Sequence, residues 1–172
     1  MRLAFASVSD QSALYGTGIS NHQPSGVINT SGTNAVTTAN PPICSDFAGM
    51  RYLSTNTDVD RSSFGWITSP HGRKYLESTP RFTNAASLWD LMQKEAELSR
   101  VVNDDRIFAG LWTYLTVGYW LGDASGPAAD IVVDPFSKAE HREVIITGSG
   151  YVDVAVRWPA LFSYSQANMF PA

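Results

Sequence analysis

A chain of 172 residues, 44% hydrophobic and 12% aromatic, is long enough for one domain or one domain with a small lobe, and has the apolar side chains for a real core. Charged residues make up only 16% and the net charge is −4, which argues against the electrostatic footprint of a nucleic-acid or membrane binder. Cys44 is the single cysteine, so there is no disulfide framework and no zinc spacing, which fits a reducing cytosol.

The first apolar run is broken by Ser7, Ser9, Asp10 and Gln11, so it does not read as a signal peptide. No apolar run approaches the roughly 18 residues of a membrane-spanning helix. Arg2 to Leu14 is expected to be a short helix, with Leu3, Ala6, Ala13 and Leu14 on a partial apolar face and Gly16 as its stop. Gly16 to Gly26 reads as a long turn. Val27 to Asn29 and Ala35 to Thr38 read as short extended pieces in a Ser/Thr/Asn/Gly-rich segment. Pro41 to Thr55 reads as a helix, with Phe47, Met50, Arg51 and Leu53 at usable spacing, and Asn56 to Ser63 as a polar loop. Phe64 to Thr68 is a short apolar strand. Ser69 is a good N-cap with Pro70 at the first helical position, opening a helix that Pro80 ends.

Ser87 to Arg100 contains strong helix formers, with Leu88, Leu91, Met92 and Leu98 as its apolar residues, and local propensity favours a helix. Ile107 to Leu121 alternates loosely and is read as a strand pair turned near Trp112 and Thr113. Ala124 to Pro127 is a loop, Ile131 to Val133 a buried strand, and Asp134-Pro135 the start of a turn. From Arg142 to Tyr164 the pattern becomes regular. Val144, Ile146, Val152, Val154, Val156 and Trp158 point one way; Glu143, Thr147, Ser149, Tyr151, Asp153 and Arg157 point the other. Such alternation marks a strand with one buried face. Gly148 and Gly150 interrupt it without shifting the phase, which fits either one long kinked strand or a hairpin. A strand of this length is expected to be the backbone of a sheet on which earlier segments pack.

The residues of chemistry are scattered. His22, His71 and His141 lie in unrelated contexts, with no metal-ligand spacing. Cys44, alone near a helix start, reads as a small core residue. Asn56 to Ser62 resembles the first half of a calcium loop but lacks the following Gly and the closing Glu. Gly16-Thr-Gly-Ile lacks the third glycine of a dinucleotide loop and follows a helix rather than a strand. Ser149 is not in a nucleophile elbow, and Asp104-Asp105 reads as a solvated turn. No nucleophile, base and orienter form a set, so no enzyme, cofactor or metal is expected.

The order of segments resembles the major capsid proteins of tailed bacteriophages. Ala13 to Gly18, followed by Gln23-Pro-Ser-Gly26, resembles the family's glycine turn after its long helix. Gly65-Trp-Ile-Thr-Ser-Pro70 resembles its strand-into-helix step. Asp105 to Gly110 with Val117-Gly-Tyr-Trp120 is similar to its paired glycine-aromatic segments, Asp130 to Pro135 to its strand and turn, and Tyr151 to Pro159 to its closing strand. The resemblance implies an α+β protein with the Hong Kong 97-like capsid fold, shared with encapsulins. It implies an axial domain plus part of the peripheral domain, without the family's N-terminal arm, extended loop and spine helix. Residues 1–30 would be a residual peripheral-domain helix and turn, 31–140 the axial domain, and 141–172 the closing peripheral-domain strand or strands. It also makes Ala96 to Val101 an extended strand, against local propensity, leaving Leu88 to Lys94 for a helix.

The function implied is that of a structural subunit, or truncated subunit, of a phage or prophage capsid shell, self-associating into pentamers and hexamers. The alternative is a prophage-derived fragment that binds full-length capsid protein and modulates assembly. The resemblance places the protein in the virion capsid, made in the cytoplasm of a bacterial host, with no membrane partner. Any DNA contact would be weak and nonspecific, carried by clusters such as Arg73 and Lys74. Trp112, Tyr114 and Tyr119 are expected near contacts around the capsomer axis, because aromatics dominate interface hot spots; Trp120 and Trp158 are expected in the core. Asp153 and Arg157, four residues apart along one strand, are too distant to pair within it; each pairs across to another strand or subunit, or is solvated.

Overall fold

The computed structural model describes residues 2–81, 86–120, 130–166 and 170. The chain opens with α1 (Arg2–Tyr15). Ala13 and Leu14 are buried as expected, but Ala6 is exposed and Ser9 takes a place on the inner face. The side chain of Leu3 lies outside the described residues. Gly16 ends the helix, its N–H donating to Ser12 O at 3.0 Å. A Cβ at Gly16 would sit 2.2 Å from Pro24 O, so only glycine fits where the two arms of the following turn cross. That turn is closed by an antiparallel bridge between Thr17 and Ser25. Val27–Asn29 is a single 3-10 turn rather than an extended piece. Asn29 Nδ2 reaches back to Tyr15 O and Gly16 O, which holds the segment curled.

Five strands form the main sheet. They are β1 (Asn34–Val36), β2 (Phe64–Thr68), β3 (Ala96–Leu98), β4 (Ile107–Leu111) and β9 (Phe162–Ser165), in the order β1-β9-β4-β2-β3. β4 sits at the centre, antiparallel to both β9 and β2, and all its residues are buried. The outer strands β1 and β3 run parallel to β9 and β2.

Register decides which residues share a face. Trp66, Ala109 and Ser163 stand in one row. α2 (Cys44–Thr55) lies over them, burying Phe47, Met50 and Ser54. Phe47 meets Trp66 edge-on at 6.0 Å. Two buried serines tie helix to sheet: Ser54 Oγ and Ser163 Oγ are 2.9 Å apart, and Ser163 Oγ donates to Met50 O. The helix begins at Cys44, three residues later than expected, where Asp46 accepts from the N–H groups of Ala39 and Ile43. Leu53 faces outward. On the opposite face Ile67, Phe108 and Tyr164 form a row, with Tyr15 of α1 edge-on to Phe108 at 5.5 Å. Burying side chains such as Met50, Phe108 and Phe162, all at 0% exposure, contributes about 1.5–3 kcal/mol each.

The step from β2 into α3 (Pro70–Ser78) follows the sequence closely: Ser69 Oγ accepts from Gly72 N at 3.0 Å with Pro70 in the first turn. In the segment 87–100 the helix favoured by local propensity is absent, and the strand implied by the resemblance at Ala96 to Val101 is present as Ala96–Leu98. Only Trp89–Leu91 is helical, as one 3-10 turn, and Ala96–Leu98 is the edge strand β3. Tertiary demand overrode propensity here. Trp66 N donates to Glu95 O at 2.7 Å and Ser99 N to Thr68 O at 2.9 Å, bonds to β2 that a helix would forfeit.

Candidate contact surface

From β4 the chain passes through a 3-10 turn at Trp112–Tyr114 into β5 (Leu115–Trp120). The turn falls where expected, but β4 and β5 do not pair. β5 instead pairs antiparallel with β8 (Tyr151–Val156), from Leu115↔Val156 to Trp120↔Tyr151. The loop expected at Ala124 to Pro127 lies outside the described residues. β6 (Asp130–Asp134) then pairs with β7 (Ile145–Ser149), from Asp130↔Ser149 to Asp134↔Ile145. Gly150 alone separates β7 from β8. The Arg142 to Trp158 stretch is therefore one interrupted strand line, and its two halves pair with different earlier strands.

The halves differ in burial. In β8 the expected alternation holds: Val154 is buried, Val152 and Val156 half-buried, and Tyr151, Asp153 and Ala155 exposed. α1 lies against β8. In β7 the expected buried face is missing, because Val144 and Ile146 are exposed. The strand expected to be buried at Ile131 to Val133 is likewise exposed at Val132 and Val133. Nor is this strand line the backbone of the main sheet, which is built on β4.

The residues expected at an interface fall in three settings. Trp112 is half-buried and tied to the core: its Nε1 donates to Gly65 O at 3.0 Å, and its ring meets Phe162 edge-on at 5.5 Å. Tyr114 and Trp158 meet edge-on at 6.1 Å, and Arg157 N donates to Tyr114 O at 2.9 Å. Trp158 is 45% exposed rather than a core residue, because it lies beyond the last ribbon pair. The side chain of Trp120 is outside the described residues. Tyr119, 56% exposed, shares a ribbon face with Val152 and Val154, whereas Asp153 opposes Gly118 on the other face. Among the described residues neither Asp153 nor Arg157 enters an ion pair; Asp153 Oδ1 accepts from Val154 N at 2.8 Å.

The sequence reading missed the exposed set on the arm formed by β6, β7 and their connection. Val132, Val133, Phe136, Val144 and Ile146 all stand in solvent there, with Phe136 at 83%. The signal was present in Ile131-Val-Val133, an unalternating β-branched run, but such a run does not reveal whether the chain itself supplies the cover. The arm's tip is locally organised. Asp134 accepts hydrogen bonds from Ser137 Oγ and from the N–H groups of Phe136 and Ser137. These bonds, the Ser137 hydroxyl's first, hold its carboxyl below the usual carboxylate value. Lys138 pairs with Glu143 at 3.5 Å and His141 with Glu140 at 3.5 Å, both in solvent.

Among the described residues no group of three or more His, Cys, Asp or Glu side chains could hold a metal. No described helix is long and apolar enough to cross a membrane. His71 Nδ1 lies 3.4 Å from Asp104 O. Cys44 is half-buried.

No protein-family model and no curated protein matches the sequence. Solved structures do match. The capsid of an empty GTA particle aligns over 99% of this chain and 64% of its own, at TM-score 0.70 and 16% identity. A structure of Gordonia phage Cozz aligns over 100% of this chain and 61% of its own, at 0.60 and 18%. The virus-like particle from Pyrococcus furiosus aligns over 92% of this chain and 63% of its own, at 0.60 and 13%. The chain thus has a phage capsid-like fold and spans less than two thirds of the length of each of these neighbours.

Proposed function

We propose that this chain is a structural, non-catalytic subunit of a phage or prophage capsid shell, and that it associates with copies of itself. The observation that carries the reading is the near-complete alignment of the chain with capsid structures, including one computed with C5 symmetry and one of a virus-like particle. The exposed apolar ribbon supports it, since scattered surface residues need no partner but a contiguous set does. In this reading the five-stranded sheet and α2 belong to an axial domain, and α1 with β8 to part of a peripheral domain, of the Hong Kong 97 type. Capsomers would be pentamers and hexamers, with Trp112, Tyr114 and Tyr119 near contacts around the axis. Asp153 and Arg157, unpaired with each other, are offered to a neighbouring copy. The protein would be made in the host cytoplasm and reside in the virion capsid.

Sedimentation velocity across a concentration series tests this. Pentamers, hexamers or closed particles are expected, and Tyr114→Ala should weaken them while leaving the thermal melt of the chain within a few degrees. A monomer at every concentration would overturn self-association and favour a fragment that acts only with full-length capsid protein.

A further inference from the structure

We propose that Phe170 is a clasp: its ring, seated in a slot on α3, holds that helix down at the end of β2, and its withdrawal frees α3 while the main sheet stays folded. The slot is built from three residues. Gly72 forms its floor, and Thr68, wholly buried, stands beside it. Tyr75, three residues on and so on the same side of the helix, forms its wall. The Tyr75 ring lies 5.3 Å from that of Phe170, tilted by 48°. Phe170 is only 5% exposed there. A Cβ at position 72 would come within 2.8 Å of the Phe170 ring and 2.4 Å of Thr68 Oγ1. Glycine is a poor helix former, yet Gly72 lies within α3. Room for the ring, and for the Thr68 hydroxyl beside it, accounts for glycine at this position.

The packing around the slot sets α3 apart from the layered core. β4 is enclosed by strands on both edges, with α2 over one face and Tyr15 of α1 on the other. α3 instead packs on the Trp89–Leu91 turn, where Arg73 lies over the Trp89 ring at 5.3 Å. Of the residues of α3, Gly72 and Leu76 are the buried ones. Leu76, at 0% exposure, is thus the one fully buried apolar side chain that the helix itself contributes. An element with few buried apolar side chains opens at lower free energy than the core around it. Phe170 adds a second such side chain, brought in from a segment beyond β9, and joins Leu76 in the buried apolar cluster. The ring of Phe170 therefore decides how firmly α3 stays closed, whereas β4 is held by strands and helices that do not depend on it.

Native-state amide exchange of the full chain, over a series of denaturant concentrations below the unfolding transition, tests this. In wild type the amides of residues 73–78 should open at lower free energy than those of 107–111. Their opening should also depend less steeply on denaturant, because it exposes less surface. Phe170→Ala should make the α3 opening at least about tenfold more frequent, while the amide chemical shifts of β4 stay those of wild type. Gly72→Ala, which crowds the ring, should also speed the α3 opening, and by a smaller factor when Phe170 is already Ala. A single opening shared by 73–78 and 107–111 in wild type overturns the proposal, for α3 then unfolds only with the sheet. So does a Phe170→Ala chain that fails to fold, since the ring is then part of the core. An α3 opening unchanged in Phe170→Ala overturns it as well. A Gly72→Ala effect equal in both backgrounds assigns the glycine to Thr68 alone and removes the slot.

Discussion

The main sheet and the β6–β7 arm are built from similar residues and end in opposite environments. β4 reads Ile-Phe-Ala-Gly-Leu and every one of these residues is buried, flanked by strands on both sides with α2 on one face and Tyr15 of α1 on the other. β6 reads Asp-Ile-Val-Val-Asp, and Val132 and Val133 face solvent. The difference lies in what the rest of the chain supplies. α2 follows β1 closely enough to fold back over β4 and β9, and its Ser54 bonds to Ala109 O and Ser163 Oγ of the sheet beneath it. Among the described residues no helix or third strand pairs with the arm. The first region holds the core of the chain; the second leaves apolar side chains in solvent.

That contrast can be broken from the core side first. Phe162 is wholly buried between Trp112 and the Gly110 backbone, where a Cβ would lie 2.4 Å from its ring. Phe162→Ala should cost about 3–5 kcal/mol. A melt that shifts by less than a few degrees would show that this end of the sheet is more loosely packed than its contacts indicate. A smaller effect is expected at the start of α3. Ser69→Ala removes the cap on Gly72 N and should cost about 1 kcal/mol, with association unchanged. Chemical denaturation of the dissociated chain checks it.

The smallest effect belongs to the arm. The Asp134 carboxylate is held below its ordinary value of 3.8 by the Ser137 hydroxyl and by two backbone donors. A lowered folded pKa means that the turn's contribution is complete above the ordinary value and is lost as pH falls through the lowered one. Chemical shifts of the Phe136 and Ser137 amides should therefore titrate with a midpoint below 3.8. The global melt should hardly respond, because the arm is not part of the core. A large loss of global stability over that pH range would mean that arm and core unfold together.

Where signals were local, the residues were legible. Ser69 and Pro70 announce α3, Gly16 ends α1, Phe64–Thr68 is the strand expected, and the phase of β8 from Tyr151 to Val156 is that of its sequence. Each rests on chemistry within a few residues: a cap hydroxyl, a backbone that only glycine fits, a two-residue period. The order of segments also pointed to a capsid-like architecture. Less of the candidate contact surface could be read. Tyr119 was named and is exposed, whereas Trp158 was assigned to the core and is not, and the arm's apolar set went unrecognised.

The sequence by itself determined the short-range elements and their hydrophobic phase, because a helix cap or an alternating strand is set by neighbours along the chain. Tertiary structure alone decided the rest. It drew Glu95 to Ser99 onto the edge of β2 against helical propensity, as the resemblance but not the local sequence implied for Ala96 to Val101, because backbone bonds across a sheet outweigh the fraction of a kcal/mol per residue that propensity provides. It split the C-terminal strand line at Gly150 between two partners, since pairing depends on which distant segment arrives alongside. It also left Val133 and Ile146 uncovered, because burial is a property of what the folded chain places over a residue and not of the residue itself.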